Sequence, residues 1–524
     1  MEPTVLAIDC GTQSLRALLF SRDGRLRHKI KVDYEPYVSP QPGWAEQDAR
    51  LYWDSLIQAV RALRAAAPEA FAGIQGVGVT TQRDTLVLVD EAGDPIRPAI
   101  LWLDTRKAGI VYRPAWPRRL AYGVVGMLEA VRKTQQEGKA NWIQEHEPEV
   151  WARADKALLL SGFLNRRLTG EARDSVASQI GHIPFNYKEM RWARPGELPS
   201  LLFPIAPRLL PELVPAGGLL GRVTAAAARA TGIPEGLPVV ACASDKGAET
   251  IGIGCVDPTM ASLSFGTTAT VQTTSPRYFE PLAFMPPYPA ACPGHHNPEV
   301  EIFRGYWMIS WFKREFAAQE VQEALRLGVA PEAVLARHLK EIAPGAMGLV
   351  TLPNWGPSLK KPMAKGAIIG FGDVHTRGHL YRSVIEGLAF ALRDGLEKIE
   401  GAGRLRIQRV GISGGATQSS EICQITADIF GRELTSGETF ETAGLGAAAI
   451  TASGVGLHGS IPDAVRAMVR FGRTYTPDPK HGALYQEIYR KVYKRIFRRL
   501  HPLHDELRSI HNYPERATDE APGR

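Results

Sequence analysis

Residues 5–20 read VLAIDCGTQSLRALLF, and this segment sets the expectation for the whole chain. Its apolar runs at 5–8 and 15–20 flank a turn at Gly11, and a third apolar run at 26–32 follows a second turn. Short apolar runs bounded by turn residues predict strands joined as hairpins. A Rossmann or Walker site carries its glycines from a strand into a helix, and neither GxGxxG nor GxxxxGKS/T occurs here. The chain is therefore predicted to open as a β-meander.

The turn at Gly11 carries side chains that suit a bound phosphate. Gly11 lets the backbone approach an oxyanion, and Thr12 and Ser14 offer hydroxyl groups. Arg16 adds a positive charge, and Asp9 is able to hold Mg²⁺ through water. An ordinary tight hairpin would account for the same residues, so the local sequence leaves both interpretations open.

The opening motif recurs about halfway along the chain. Residues 7–13, AIDCGTQ, align without a gap with residues 262–268, SLSFGTT, and both copies pass from an apolar strand into a Gly-Thr turn. The donors of the second copy are Gly266, Thr267 and Thr268. Ser264 stands in the place of Asp9, so only the first copy keeps a metal-binding carboxylate. The match is short, and chance similarity is the alternative to two related domains.

The length of the chain predicts two large domains with a cleft between them, because 524 residues exceed what one hydrophobic core usually supports. Apolar spacing predicts helices at 47–66 and 149–167, and apolar runs predict strands at 74–80 and 238–243. The second half continues with a strand at 407–413 and helices at 380–400 and 419–430. This alternation predicts an α/β fold.

The composition is that of an ordinary globular protein, with 44% hydrophobic and 22% charged residues and a mean hydropathy of −0.15. No apolar run is long enough to span a bilayer, and the first ten residues lack the basic segment of a signal peptide, so a cytoplasmic protein is expected.

Five scattered cysteines favour reduced, buried thiols over disulfides or a zinc site. The basic run at 491–499 is predicted to be a solvated helix face, and no nucleic-acid module or membrane partner is indicated.

Asp245 is a candidate general base. It follows the apolar run at 239–243, where a carboxylate at the end of a strand would point into the crevice of an α/β sheet. The alternative is that Asp245 only caps the helix predicted to begin there.

Polar side chains that could bind a polyol follow two other predicted strands. Gln82, Arg83 and Asp84 come after the first of these strands, and Trp102 and Asp104 after the second. Hydrogen-bonding groups beside an indole suit a ligand with hydroxyls along its edge and an apolar carbon face. A surface cluster of salt bridges is the alternative.

A second glycine-rich segment lies between a predicted strand and helix at Gly414, Gly415 and Ala416. It would leave backbone amides free for a nucleotide, although two glycines before a helix are weak evidence alone. Phosphoryl transfer needs donors around the phosphates, a metal ion and a carboxylate that takes a hydroxyl proton, and the sequence has a candidate for each. The isoleucines spaced along the following helix are assigned to core packing.

Together these motifs resemble the FGGY family of carbohydrate kinases, which includes glycerol kinase and xylulokinase. The resemblance extends to about residue 456. It rests on DCGTQSLRALLF at 9–20, PGWAEQD at 42–48, TTQRDT at 80–85, LWLDTR at 101–106, ASDKGAETIG at 243–252, LSFGTTA at 263–269 and SGGATQSSEICQITADIFGREL at 413–434.

The resemblance implies two actin-like, ribonuclease-H-type α/β domains that close on MgATP and a sugar. It implies that Asp245 is the catalytic base, and that Asp9 and Asp245 hold Mg²⁺. The implied ATP-binding residues are Gly11, Thr12, Gln13, Ser14, Arg16, Gly266, Thr267, Thr268, Gly414, Gly415, Ala416 and Ser419. The implied substrate-binding residues are Gln82, Arg83, Asp84, Trp102 and Asp104.

These assignments divide the chain into three predicted parts. Residues 1–254 would hold the sugar, the first phosphate turn and the base, and residues 255–490 the second phosphate turn and the adenosine. Residues 491–524 would form a basic helical tail with a disordered end. A homodimer is a further expectation.

Several positions depart from the family pattern. Ala140 replaces a large apolar residue in the N-terminal signature at 139–142, and Ser419 stands where glycerol kinases carry an Asn near the adenine. Asp84 is one methylene shorter than the Glu of glycerol kinase, which predicts a larger polyol or ketose as acceptor. The spacing of Asp104 and Arg106 resembles the xylulokinase-like branch, so the two cues do not agree on one substrate.

Two other functional classes compete with a sugar or polyol kinase, of which glycerol kinase itself is one variant. An actin-fold chaperone would need a peptide-binding domain after the ATPase, but only about ninety residues follow Leu434. A catalytically inactive sugar-binding regulator should have lost a catalytic carboxylate, and Asp9 and Asp245 are both present. The kinase is therefore the predicted function.

Overall fold

Two six-stranded β-sheets organise the chain in the computed structural model, which describes residues 2–356 and 363–513. The first sheet contains β1 (Thr4–Cys10), β2 (Ser14–Ser21), β3 (Leu26–Asp33), β4 (Ile74–Thr81), β5 (Leu219–Arg222) and β6 (Pro238–Val240). The second contains β7 (Met260–Phe265), β8 (Ala269–Thr273), β9 (Glu299–Ile302), β10 (Arg409–Ser413), β11 (Leu434–Gly437) and β12 (Phe471–Tyr475).

Both sheets have the same topology. The strand order is β3-β2-β1-β4-β6-β5 in the first sheet and β9-β8-β7-β10-β11-β12 in the second. Each begins as an antiparallel meander of three strands, continues with two parallel strands and ends with an antiparallel edge strand. The predicted meander and the predicted fold class, two ribonuclease-H-type α/β domains, are confirmed.

The longer helices include α1 (Ala49–Ala66), α3 (Arg377–Gly403), α4 (Ser420–Phe430), α5 (Thr442–Gly454) and α6 (Lys494–His511), and the shorter helix α2 (Asp245–Gly252) lies between the two sheets in the sequence. Further α-helices are Pro68–Ala72, Trp116–Val124, Leu128–Gln136, Lys139–His146, Pro148–Ala152, Leu160–Thr169, Leu198–Leu202, Ala225–Thr231, Trp307–Phe316, Ala318–Leu327, Pro331–Glu341, Ile461–Met468 and Pro479–Ile488. A four-stranded sheet contains Glu46–Gln47, Ala99–Ile100, Leu86–Val89 and Lys156–Leu159. Paired short strands are Arg173–Ser175 with Glu212–Val214, Phe185–Asn186 with Arg191–Trp192, Tyr288–Pro289 with His296–Asn297, and Val350–Leu352 with Ala367–Ile369.

One long predicted helix is wrong. The segment 149–167 contains the end of one helix, the strand Lys156–Leu159 and most of the helix Leu160–Thr169. The strand pairs antiparallel with Leu86–Val89, and its apolar residues are buried. A short apolar run in a sequence is compatible with either a helix or a strand. Here the pairing with Leu86–Val89 determines that residues 156–159 form a strand.

The predictions for the cysteines and for the isoleucines at 422, 425 and 429 are confirmed. The five cysteines are free and buried. In α4, the isoleucines at 422, 425 and 429 are buried as a stripe in the core of the second domain. Within the described ranges no helix is long and apolar enough to cross a membrane. The predicted disorder at 512–524 falls largely on residues 514–524, which lie outside the described part of the chain.

Helix α5 of the second domain packs on the first domain. Val5 and Leu18 of the first sheet belong to one buried cluster with Leu445 and Ile450 of α5. The backbones of α2 and α5 come into direct contact, because a methyl group added to Gly446 would lie 1.8 Å from the carbonyl oxygen of Ala248. This contact joins the two domains at the base of the cleft.

The glycine contact generates the first prediction. Gly446→Ala is expected to lower the midpoint of thermal unfolding and to destabilise the protein by about 1–3 kcal/mol, because the new methyl forces the two helices apart. Gly401→Ala in α3 is the matched control, since a methyl group there meets no atom within 4 Å. Alanine is favoured over glycine in helices, so the control should be neutral or stabilising. Equal midpoints for the two variants would contradict the contact.

Candidate active site

The first glycine turn, Gly11 to Gln13, joins β1 to β2. The amide of Gly11 donates to the carbonyl of Ser14 at 3.0 Å and closes a three-residue loop. Tyr34, which follows β3, holds the loop from outside: its hydroxyl donates to the Gly11 carbonyl at 2.7 Å and its amide to the Gln13 carbonyl at 3.1 Å. The amide of Thr12 has no acceptor among the described residues and is available to an anion.

The second glycine turn, Gly266 to Thr268, joins β7 to β8 and has the same length. Its carbonyl groups are also held by the segment that follows the third strand of the sheet. The amide of Tyr306 donates to the Gly266 carbonyl at 3.0 Å, and that of Trp307 donates to the Thr267 carbonyl at 3.3 Å. The sequence repeat therefore corresponds to two equivalent loops, one in each domain.

Asp9 is the second-last residue of β1, close to the first glycine turn, and is paired across the hairpin with Arg16. The Nη1 atom of Arg16 donates to Asp9 Oδ2 at 2.9 Å. Burial raises the pKa of Asp9 to about 6, which Arg16 opposes and the charge of Asp245 reinforces. The Nε atom of Arg16 also lies 3.6 Å from Glu441, the residue that precedes α5. Ser14 is buried at the start of β2.

At the equivalent place in β7, Ser264 takes part in a different network. The Nζ atom of Lys246 donates to Ser264 Oγ at 2.6 Å and to Glu249 Oε2 at 2.9 Å. Glu249 also accepts from Ser264 Oγ at 3.0 Å and from Ser413 Oγ at 2.7 Å. Lys246 and Glu249 belong to α2, so the first domain supplies the charged groups beside the second glycine turn. Sequence reasoning missed both residues, although they lie in ASDKGAETIG.

Asp245 is the first residue of α2, and Ser244 is its N-cap, with Ser244 Oγ accepting from the amide of Gly247 at 3.3 Å. The alternative that Asp245 only caps the helix therefore fails. Its side chain is 32% exposed, and Oδ1 lies 4.0 Å from Nε of Arg83. Desolvation by surrounding protein raises the pKa of Asp245, while Lys246 and Arg83 lower it. The net shift is upward, which suits a proton acceptor.

Arg83 connects the two domains. Its Nη1 and Nη2 atoms donate to both carboxylate oxygens of Glu299 in β9, at 2.9 and 3.0 Å. Its Nε atom donates to Ser244 Oγ at 3.2 Å, and the guanidinium lies 4.8 Å from the ring centroid of Tyr288. No local signal could have revealed Glu299, which lies 216 residues from its partner.

Asp84 is held by a lysine and a histidine. The Nζ atom of Lys139 lies 2.5 Å from Asp84 Oδ2, and Nδ1 of His182 lies 2.8 Å from the same oxygen. Burial would raise the pKa of Asp84, but Lys139 and His182 bring it well below the usual range. Lys139 belongs to the signature that matched the family poorly, and His182 carried no sequence signal.

Three predicted site residues meet at the first glycine turn. Thr12 Oγ1 donates to Gln82 Oε1 at 2.7 Å, and Nε1 of Trp102 donates to Thr12 Oγ1 at 3.1 Å. Gln82 Nε2 in turn donates to the hydroxyl of Tyr52 at 3.2 Å. The indole of Trp102 remains partly exposed. The structure therefore brings predicted phosphate-binding and substrate-binding residues together.

Asp104 is engaged within the first domain. Its Oδ1 accepts from Nε of Arg106 at 2.9 Å, and its Oδ2 accepts from Nη2 of Arg106 at 2.8 Å and from the amide of Ala45 at 2.6 Å. The side chain is only 1% exposed, and Arg106 packs over the ring of Trp44. These contacts anchor the segment around Trp44, and substrate binding by Asp104 stays a prediction.

The second glycine-rich segment begins at the end of β10. Gly414 has φ = +92°, and a β-carbon there would lie 2.8 Å from the backbone of Phe265. Only glycine fits both constraints. Gly415 opens a 3₁₀ turn and has no atom within 4 Å of an added methyl group, so its surface is open. The segment lies directly beside the strand that leads into the second glycine turn.

The remaining predicted adenosine residues lie at the start of α4. Ala416 packs against the core of the second domain. Ser419 is the N-cap of α4, and its hydroxyl accepts from the amide of Ile422 at 3.4 Å. Its predicted contact with the nucleotide stays a prediction.

The ion pair between Arg83 and Glu299 generates the second prediction. Glu299→Gln is expected to destabilise the protein by about 3–5 kcal/mol, because it leaves a buried guanidinium without its carboxylate. Thermal unfolding measures this change. The control is Glu212→Gln, which removes an exposed carboxylate from its pair with Arg173 and should leave the midpoint unchanged. A Glu299→Gln protein as stable as the control would show that the pair does not hold the domains together.

Comparison with known proteins agrees with this geometry. Models of the FGGY family of carbohydrate kinases match the chain over residues 4–252 for the N-terminal domain and 261–455 for the C-terminal domain. A xylulose kinase of Lactococcus lactis is 28% identical, with 92% of this chain and 94% of the relative covered. A glycerol kinase of Alkalilimnicola ehrlichii is 28% identical, with 89% and 93% covered. The crystal structure of xylulose kinase from Rhodospirillum rubrum has a TM-score of 0.81 at 28% identity, with 96% of this chain and 100% of that chain covered. The chain belongs to the FGGY family of carbohydrate kinases.

Proposed function

We propose that this carbohydrate kinase transfers the γ-phosphoryl group of ATP to a hydroxyl of a small sugar or polyol, with Asp245 as the general base. The observation that carries the proposal is the pair of equivalent glycine turns, one from each domain, with Asp245 at the start of the helix that joins the domains. If the first glycine turn only reversed the chain, there would be no need for an equivalent turn in the second domain or for the desolvated carboxylate of Asp245 nearby.

In the proposed reaction the acceptor oxygen attacks the γ-phosphorus. The bond from the γ-phosphorus to the bridging oxygen breaks, and its electron pair leaves with ADP. Asp245 accepts the proton of the hydroxyl, for which its raised pKa is suited. The amides of the two glycine turns would donate to phosphate oxygens, and Arg16 would offset their charge.

Mg²⁺ is part of the proposal, and Asp9 and Asp245 are the residues that would hold it. The fit rests on Asp9, whose pKa is raised by burial and by the charge of Asp245, a repulsion that a cation relieves. Across the described residues, no three His, Cys, Asp or Glu side chains cluster as metal ligands. This agrees with Mg²⁺, which commonly uses one or two carboxylates, phosphate oxygens and water. When bound, the ion neutralises charge that develops on the phosphates.

For the acceptor we propose ketopentoses as the first candidates, because two of the relatives described above are named xylulose kinases. The relative named glycerol kinase makes glycerol the alternative. The charged groups of Arg83 and Asp84 are engaged by protein partners. Both amide atoms of Gln82 are likewise engaged, by Thr12 and Tyr52. The exposed indole of Trp102 and the carboxylate of Asp245 would therefore face the sugar.

The third prediction tests the base. Asp245→Asn is expected to reduce kcat by at least about a hundredfold, since it removes the proton acceptor, and to leave ATP affinity nearly unchanged. ADP release would be measured with polyols, ketopentoses, ketohexoses and their deoxy forms, and ATP binding by calorimetry. Asp463→Asn, at an exposed helix start, is the control and should retain full activity. Unchanged turnover in Asp245→Asn would remove Asp245 from this role. No stimulation of the unaltered protein by any acceptor would favour the sugar-binding regulator.

The fourth prediction tests the second glycine turn. A methyl group at Gly266 would already lie 3.2 Å from the Thr268 carbonyl oxygen and 3.4 Å from Lys246 Nζ. The branched side chain of Gly266→Val should therefore abolish ATP binding in calorimetry without unfolding the chain. Gly401→Val, where the site is open, is the matched control and should bind ATP normally. Retained ATP affinity in Gly266→Val would refute the model of paired turns.

A further inference from the structure

We propose that Lys246 is an additional catalytic residue, whose ammonium group binds the phosphoryl group while it passes from ATP to the acceptor. The inference rests on the proposed function and extends it to a side chain that follows the base directly in the sequence. Lys246 belongs to the first domain but reaches the second glycine turn, one of the two turns proposed to bind the phosphates of ATP.

The position of the ammonium carries the argument. Lys246 Nζ lies 3.4 Å from the point that a β-carbon on Gly266 would occupy, so it borders the glycine turn itself. Its backbone amide donates to Asp245 Oδ1 at 2.8 Å, which fixes the lysine relative to the base. The side chain therefore starts next to the proposed base and ends beside the turn proposed to hold phosphate.

The surrounding groups keep Lys246 charged and in place. The carboxylate of Glu249 accepts a hydrogen bond from the ammonium and offsets its charge. The same carboxylate is held in place by the hydroxyls of Ser264 and Ser413, which donate to Glu249 Oε1 at 3.0 and 2.7 Å. Glu249 and Ser264 thus act as a cradle for the ammonium at 2.9 and 2.6 Å.

One donor of the ammonium remains for a ligand. A lysine ammonium has three hydrogens, and the bonds to Glu249 and Ser264 use two of them. No third acceptor contacts Nζ in the described part of the chain, and the side chain is 20% exposed. A phosphate oxygen at the second glycine turn would accept the third hydrogen bond of the ammonium.

A cation at this position would stabilise the transition state of phosphoryl transfer. As the bond to the bridging oxygen breaks and the acceptor oxygen forms its bond to phosphorus, negative charge is spread over the oxygens of the transferring group. A fixed positive charge there stabilises the transition state more than bound ATP, so its loss should lower kcat more than it weakens nucleotide binding.

The fifth prediction tests this role with two variants. Lys246→Gln keeps amide donors for Glu249 and Ser264 but removes the charge, and Lys246→Arg keeps the charge. Lys246→Gln should lower kcat by roughly a hundredfold, and Lys246→Arg should recover part of the loss. Both would be assayed with the best acceptor from the panel, and thermal unfolding would verify that each variant folds.

A second measurement needs no acceptor. MgADP with aluminium fluoride imitates the transferring group, and Lys246→Gln should bind this complex at least about tenfold more weakly while binding MgADP alone as the unaltered protein does. Equal loss of affinity for MgADP would assign Lys246 to general nucleotide binding. Unchanged affinity for the fluoride complex would reduce it to a link between domains, and a rise in acceptor KM alone would make it an acceptor contact. Each of these three results overturns the inference.

The proposed function and this inference fail in different ways. If the unaltered protein neither turns over an acceptor nor binds MgADP, the proposed function is wrong. If the unaltered protein does both and Lys246→Gln does so equally well, only the role of Lys246 is wrong.

Discussion

The backbone contact between α2 and α5 is the constraint on which the rest of the active site depends. Gly446 lets α5 come against the carbonyl of Ala248, and Gly252 does the same for the carbonyl of Thr442. Each helix follows the last parallel strand of its own sheet and begins beside the other domain. Side chains at the helix starts therefore reach across: Lys246 contacts the strand before the second glycine turn, and Glu441 lies near Arg16. Without the close approach of α2 and α5, Lys246 and Glu441 could not lie next to residues of the opposite domain.

The two domains have the same topology around their glycine turns but differ in the side chains beside these turns. In both, a residue following the third strand fixes the carbonyls of the glycine turn, Tyr34 in one and Tyr306 in the other. The residue two places before each turn differs: Asp9 pairs with a cation of its own hairpin, whereas Ser264 receives a cation from the opposite domain. Under the proposed function, both turns would bind phosphate, but only the first would have a carboxylate for the metal ion beside it.

What the sequence could predict was local. The meander, the glycine turns and their repetition follow from short patterns of apolar and turn residues, and the structure has all three. The pairing of Arg83 with Glu299 and the packing of Gly446 on Ala248 join segments far apart in the chain, so no window of sequence could contain them. The misread segment at 149–167 has the same cause, because a strand partner outside the segment decides its conformation. Candidate site residues could be named from the sequence, but not their protein partners, which decide which of the candidates are left for a ligand.

The glycine contact also has a mechanical consequence. If the domains open and close about the point where α2 crosses α5, the displacement of any atom grows with its distance from that pivot. Asp245, the proposed base at the start of α2, lies within two helical turns of Gly252 and would move little, whereas parts of the domains far from the pivot would move more. Such a rotation about the α2–α5 contact would open space for a nucleotide while the groups near the contact keep their positions. The close contact between α2 and α5 would then be what permits the domains to move.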